Sequence, residues 1–278
     1  MSAALLALVT ASGYGSADFL AARLFRLGRR WPTLIVSQLA ATAATGAVVA
    51  ARHGPLPGAA ATAYGVVGGL CAAAALAALW RGLETGPMGV VAAICGVPLV
   101  PVAVGLLRGE SLSGAQMAGV VCALAGIAAV SLRGPSTSVR PVTGAVLGLA
   151  LLAMAGFGTM QVALARASLE DPAWAALLVR ATMAAVLGAL GVRASGAVSL
   201  RPVRVTMPAC VGLLQAAGIL AFAWASTVGY LSLIAVIAAL APLCTAVLAR
   251  FVLGERLSRL QVLGVAAALS GTALPAAR

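Results

Sequence analysis

Asp18 and Arg180 are charged residues that fall within long apolar runs and away from their ends. A charge at the centre of a bilayer costs about 2.5–3.5 kcal/mol on insertion scales, so each must face a cavity or a partner. A carboxylate so placed can take up and release a proton. A guanidinium can hold an anionic group, or extend its long stem to the nearer surface. Asp18 follows Ser12, Gly13, Tyr14, Gly15 and Ser16, a polar stripe for a membrane helix. This context marks Asp18 as a candidate to line a polar path through the membrane and to carry a proton along it; the competing reading is a carboxylate satisfied by Arg23 or Arg26 near the headgroups. Asp18 lies roughly 22 Å along its run and Arg180 about 10 Å along a run of the same direction, which argues against a direct pair. Tyr14 and Gln215 fall near mid-depth, where each can hydrogen-bond a solute or pack between helices.

The composition defines the elements that must hold these side chains. Of 278 residues 62% are hydrophobic and 9% charged, and mean hydropathy is +1.09. A soluble domain is roughly 45–50% apolar and about 25% charged, so the chain is an integral membrane protein. Apolar runs bounded by Arg, Gly, Pro and Ser give spans at 3–24, 32–51, 59–80, 86–107, 114–132, 143–166, 173–192, 206–226, 230–252 and 260–276. The first run lacks a preceding basic stretch and is read as a retained helix rather than a cleaved signal. All eighteen basic residues are arginine, and the net charge is +12. Most lie between runs, where they set orientation and touch headgroups. With aromatics at 4% and no basic run interleaved with them, nucleic acid is excluded as a partner.

No metal or cofactor is expected. Cys71, Cys95, Cys122, Cys210 and Cys244 all lie within apolar runs, without metal-pair spacing, and read as small buried hydrophobes. His53 is the sole histidine, which leaves no H-E-x-x-H motif and no nucleophile–base set for an intramembrane enzyme.

The one linker-like stretch, 134–141, falls after five spans, and the segments around it repeat. Residues 109–126 read GESLSGAQMAGVVCALAG and residues 254–271 read GERLSRLQVLGVAAALSG, identical at ten of eighteen positions. Trp80 aligns with Trp224, and Pro98 with Pro242 after a one-residue slip. Five spans per unit is odd, so the halves 1–133 and 142–276 insert with opposite topology, the inverted-repeat plan of secondary transporters. Within the motif, Ser113 with Gln116 and Ser258 with Gln261 fit capping boxes, and Glu110 and Glu255 precede a positive helix end. That makes the motif structural, with a gate or coupling carboxylate as the alternative. Gly65/Gly69 and Gly144/Gly148 are close-packing pairs. Pro98, Pro101 and Pro242 interrupt the fourth and ninth runs at related places, which points either to a binding region or to tolerated kinks. Trp80, Trp224 and Tyr230 fall near span ends, as interfacial aromatics do.

The Gly-Glu-x-Leu-Ser-x-x-Gln-x-x-Gly pattern in both halves resembles the drug/metabolite transporter superfamily, EamA type. That resemblance implies an all-α fold of ten transmembrane helices in two inverted five-helix repeats. It also implies export of a metabolite, amino acid or drug across the plasma membrane, with cytoplasmic termini. Arg180 resembles an arginine that members carry in the equivalent helix, and its first-half counterpart is Gln38, a departure from the pattern. The expectation is a secondary transporter working by alternating access, coupled to protons or exchanging solutes, and not an enzyme. A non-transporting membrane subunit and an intramembrane enzyme are the alternatives. Loops after odd spans carry twelve arginines against four on the other side. The positive-inside rule would therefore place the termini outside, and the expectation follows the family instead.

Overall fold

Alanine, leucine and valine dominate the apolar runs, and in the computed structural model the described parts of those runs are helical, with no strand among the described residues. The structure describes residues 2–26, 30–86, 88–111, 143–195 and 205–253, with a few positions between 113 and 125. The first half contributes α1 (Ala3–Arg26), α2 (Arg30–Arg52), α3 (Ala59–Thr85), α4 (Met88–Cys95) and α5 (Leu99–Leu107). The second contributes α6 (Gly144–Ala167), α7 (Pro172–Ser195), α8 (Thr206–Val228), α9 (Leu231–Ala238) and α10 (Ala241–Leu253). Among the described residues, α1, α2, α3, α6, α7 and α8 are long and apolar enough to cross a membrane. The expected spans 114–132 and 260–276 and the linker 134–141 lie outside the described residues, apart from isolated positions in the first.

Proline explains the two interruptions. Pro98 directly precedes α5, and Pro101 and Pro242 sit in the first turns of α5 and α10. Proline lacks an N–H and clashes with the preceding turn, so a helix tolerates it at its start and breaks before it. The apolar stretches read as 86–107 and 230–252 are thus each two short helices. By contrast, α3 runs to Thr85, past the expected end at 80. Arg81 and Glu84 face each other at 3.9 Å on that extra turn, so Trp80 lies more than a turn inside the helix.

Small residues set the packing. A side-chain carbon at Gly65 would collide with Leu178, and one at Gly69 with Thr182 and the Val179 carbonyl. The first glycine pair therefore lets α3 lie close against α7. At Gly144 and Gly148 such a carbon would meet nothing within 4 Å, so the expected second packing pair makes no close contact among the described residues. Helix α3 also packs on α6, α1 packs on α8, α9 and α10, and α2 packs on both α7 and α8. Helices α4 and α5 rest on α6, and α5 also touches α9. The main core is built from Ala7 and Ala11 of α1, Leu164 of α6, Ile219 and Phe222 of α8, and Ile234 of α9. Helices α1, α2, α7 and α8 thereby surround the middle of the bundle, where the polar residues meet.

Candidate functional site

Arg180 stands in the third turn of α7 and is 4% exposed. Its guanidinium turns inward instead of extending to a surface. Nη2 donates to the Gln215 backbone carbonyl at 2.9 Å and Nη1 to Gln215 Oε1 at 3.3 Å. On another side the guanidinium lies over the Tyr14 ring, 5.9 Å from its centre, a cation–π contact that a low-dielectric site strengthens. Gln38 of α2, 3% exposed, donates from Nε2 to the same Gln215 Oε1 at 3.5 Å. Four helices thus bring Tyr14, Gln38, Arg180 and Gln215 together, and the sequence had singled out all four.

The cluster leaves hydrogen-bonding capacity unspent. Arg180 Nε and Gln38 Oε1 are buried without a partner, one a donor and the other an acceptor. A buried polar atom left unpaired costs about 1–3 kcal/mol, and a solute offering an acceptor and a donor would recover that. Asp18, one turn beyond Tyr14 on α1, is exposed, and no hydrogen bond or ion pair holds its carboxylate among the described residues. It lies one turn from Tyr14, whose ring carries the Arg180 guanidinium. Arg180 and Asp18 therefore form no direct pair, as their depths predict, and Arg23 does not pair with Asp18 either.

Sequence reasoning missed Trp80. Expected near a span end, it lines a small cavity together with Gln38, Leu34 and Leu187, and α3 continues past it. Trp224 does lie near a bundle face, where the Arg52 guanidinium stacks on its ring at 5.6 Å. Tyr230, just before α9, is exposed. Cys71, Cys95 and Cys244 are half-buried, and Cys210 is exposed, a departure from the buried reading that places its thiol at the helix surface. Cys122 lies outside the described residues. Among the described residues no group of His, Cys, Asp and Glu could hold a metal.

The repeated motif behaves differently from its expectation. Glu110 does serve a positive helix end, but that end belongs to α9 of the other half: its carboxylate accepts the Leu231 N–H at 2.8 Å, the Ser232 N–H at 3.1 Å and the Ser232 hydroxyl. The Ser113 carbonyl accepts the Met117 N–H at 2.9 Å, a first helical turn. Gln116, Glu255, Ser258 and Gln261 lie outside the described residues.

No curated protein matches the chain. A solved crystal structure, described only as that of a protein, covers 98% of this chain and 96% of its own with a TM-score of 0.76 at 20% identity. That likeness shows a shared fold over nearly the full length. The motif that first suggested a family has independent support in the second half, where residues 144–276 match the EamA-like transporter family. Over those residues the chain is similar to the EamA-like transporter family.

Proposed function

We propose that the chain is a secondary transporter of ten transmembrane helices in two inverted five-helix repeats, exporting a small organic solute across the plasma membrane by alternating access. The observation that supports this best is the buried Arg180–Gln215–Gln38–Tyr14 cluster between helices of both halves, with hydrogen-bonding capacity unspent. Polar side chains buried at this depth mark solute paths in membrane proteins. The helix contacts fit the two-repeat reading. Exchanging α1 with α6, α2 with α7, α3 with α8, and α4–α5 with α9–α10 turns the α1–α8 contact into α6–α3 and the α2–α8 contact into α7–α3. The α2–α7 contact maps onto itself. Substrate sites in such carriers lie at the repeat interface near the midplane.

Arg180 suits a carboxylate or other anionic group on the solute, because a guanidinium offers donors in a fixed fork. Asp18, with no fixed partner among the described residues and one turn from Tyr14, suits a coupling proton. The test is flux and counterflow in proteoliposomes, screening carboxylate-bearing solutes, nucleosides and sugars with and without a pH gradient. Gradient-driven flux of a carboxylate solute, lost in Asp18→Asn with exchange retained, is the expected result. Flux indifferent to both the gradient and the substitution removes the proton role. No flux for any solute removes the transporter reading.

A further inference from the structure

Three sets of polar contacts between the halves lie on the bundle face where α1, α3, α7 and α9 begin. Arg52 at the end of α2 lies 3.3 Å from Asp171 Oδ2, and the other Asp171 oxygen accepts the Ala173 and Trp174 N–H groups at the start of α7. Glu170 Oε2 accepts the Gly58 N–H at 2.7 Å. Glu110, reaching from beyond α5, holds Leu231 and Ser232. The Arg52–Asp171, Gly58–Glu170 and Glu110 contacts each join one half of the chain to the other.

Glu110 makes the least ordinary of them. A helix is normally capped by a side chain from the residue that starts it. Tyr230 occupies that position in α9 and provides no side-chain cap; the cap comes from 121 residues earlier in the sequence. The approach is close, since a side-chain carbon at Gly105 would strike the Glu110 carboxylate. Helix α9 is also the short arm of an interrupted span, jointed to α10 at Ala239 and Leu240. Every group in these contacts is one that water satisfies once the face opens, so parting them leaves no buried polar atom orphaned.

We propose that this face is a gate and that Glu110 is its gating residue, clamping α9 to the first half in the closed state and releasing it on opening. The proposal rests on the transporter reading, with Arg52–Asp171 and Glu170–Gly58 completing the seal. Opening then follows the rocking of one repeat against the other.

The test uses the full chain with its native cysteines replaced by alanine and one cysteine introduced at Ala61. That residue is 4% exposed and lies a turn below Gly58, in the core shared by α3, α6 and α7. The readout is the rate of labelling by a charged, membrane-impermeant maleimide in detergent. Glu110→Gln raises this rate about tenfold, the scale of losing a hydrogen bond to a charged group. Gly105→Ala, which leaves Glu110 in place and crowds it, also raises the rate, and it stands in should Glu110→Gln fail to elute as a single species. Labelling unchanged in both variants overturns the gate. In proteoliposomes, a reducible bis-maleimide bridging Arg52→Cys and Asp171→Cys, a pair whose native side chains meet at 3.3 Å, stops flux and reductant restores it; flux indifferent to a completed bridge also overturns the gate. Faster labelling in a protein that moves no solute keeps the gate and removes the transporter reading instead.

Discussion

Gln215 offers one side-chain oxygen to two donors, Arg180 from α7 and Gln38 from α2. The longer of these bonds, from Gln38, is the weaker, and its own oxygen stays unpaired. The Gln38 amide is therefore the part of the cluster most ready to change partner when a solute enters. Arg180 is held harder, by a backbone carbonyl, a side-chain oxygen and an aromatic face. A lysine keeps the charge but replaces the planar fork with a point charge, so the pair separates charge from geometry. In counterflow with a carboxylate solute, Arg180→Gln is expected to raise KM at least tenfold, and Arg180→Lys to recover part of that loss. Equal KM values in wild type and both variants would remove the anion-binding role. Hydropathy made Asp18 and Arg180 legible, because a charge in an apolar run needs a reason. It gave no hint that Gln38 and Arg180 converge on one oxygen, since amides carry no charge and their partners are set by helix packing.

Helix α3 shows how element-scale detail escapes a sequence. Its apolar run ends near Trp80, yet the helix continues through Arg81 and Glu84, and Trp80 shares a cavity lining with Gln38. The proline positions were more informative, because a missing N–H acts locally and needs no tertiary context. The two glycine pairs looked alike in sequence and differ in what faces them. Gly69→Leu, placed against Thr182 and the Val179 carbonyl, should cost about 1–3 kcal/mol by overpacking and lower the melting temperature in detergent. Gly148→Leu should leave it nearly unchanged. Thermal-shift measurements on the two variants, with wild type alongside, check the contrast.

Across the whole molecule, charge is divided unevenly between the two faces. The acids Glu110, Glu170 and Asp171 share a face with Arg52, Arg108 and Arg166, whereas the order of the apolar runs in the sequence assigns twelve arginines to the opposite side. We place the termini in the cytoplasm, following the family, against the direction the arginine count gives. A fluorescent reporter that matures only in the cytoplasm, fused after Arg278, should therefore be bright. A dark fusion, with an exported phosphatase fusion active in its place, would invert the assignment. The repeat was readable because the segment bearing Glu110 recurs at Glu255, but the destination of Glu110 was not. Its partner lies in the other half, and no local pattern specifies a cap supplied from so far away.

That distant cap also has a consequence for synthesis. Glu110 is made long before Leu231, so the site that receives α9 exists before α9 itself emerges from the ribosome. The order of synthesis thus predicts that the earlier half guides the later one as it completes its last described span. A second half made alone would present Leu231 and Ser232 with two backbone donors and no acceptor from its own turn. Co-expressing the two halves as separate chains should restore what either lacks.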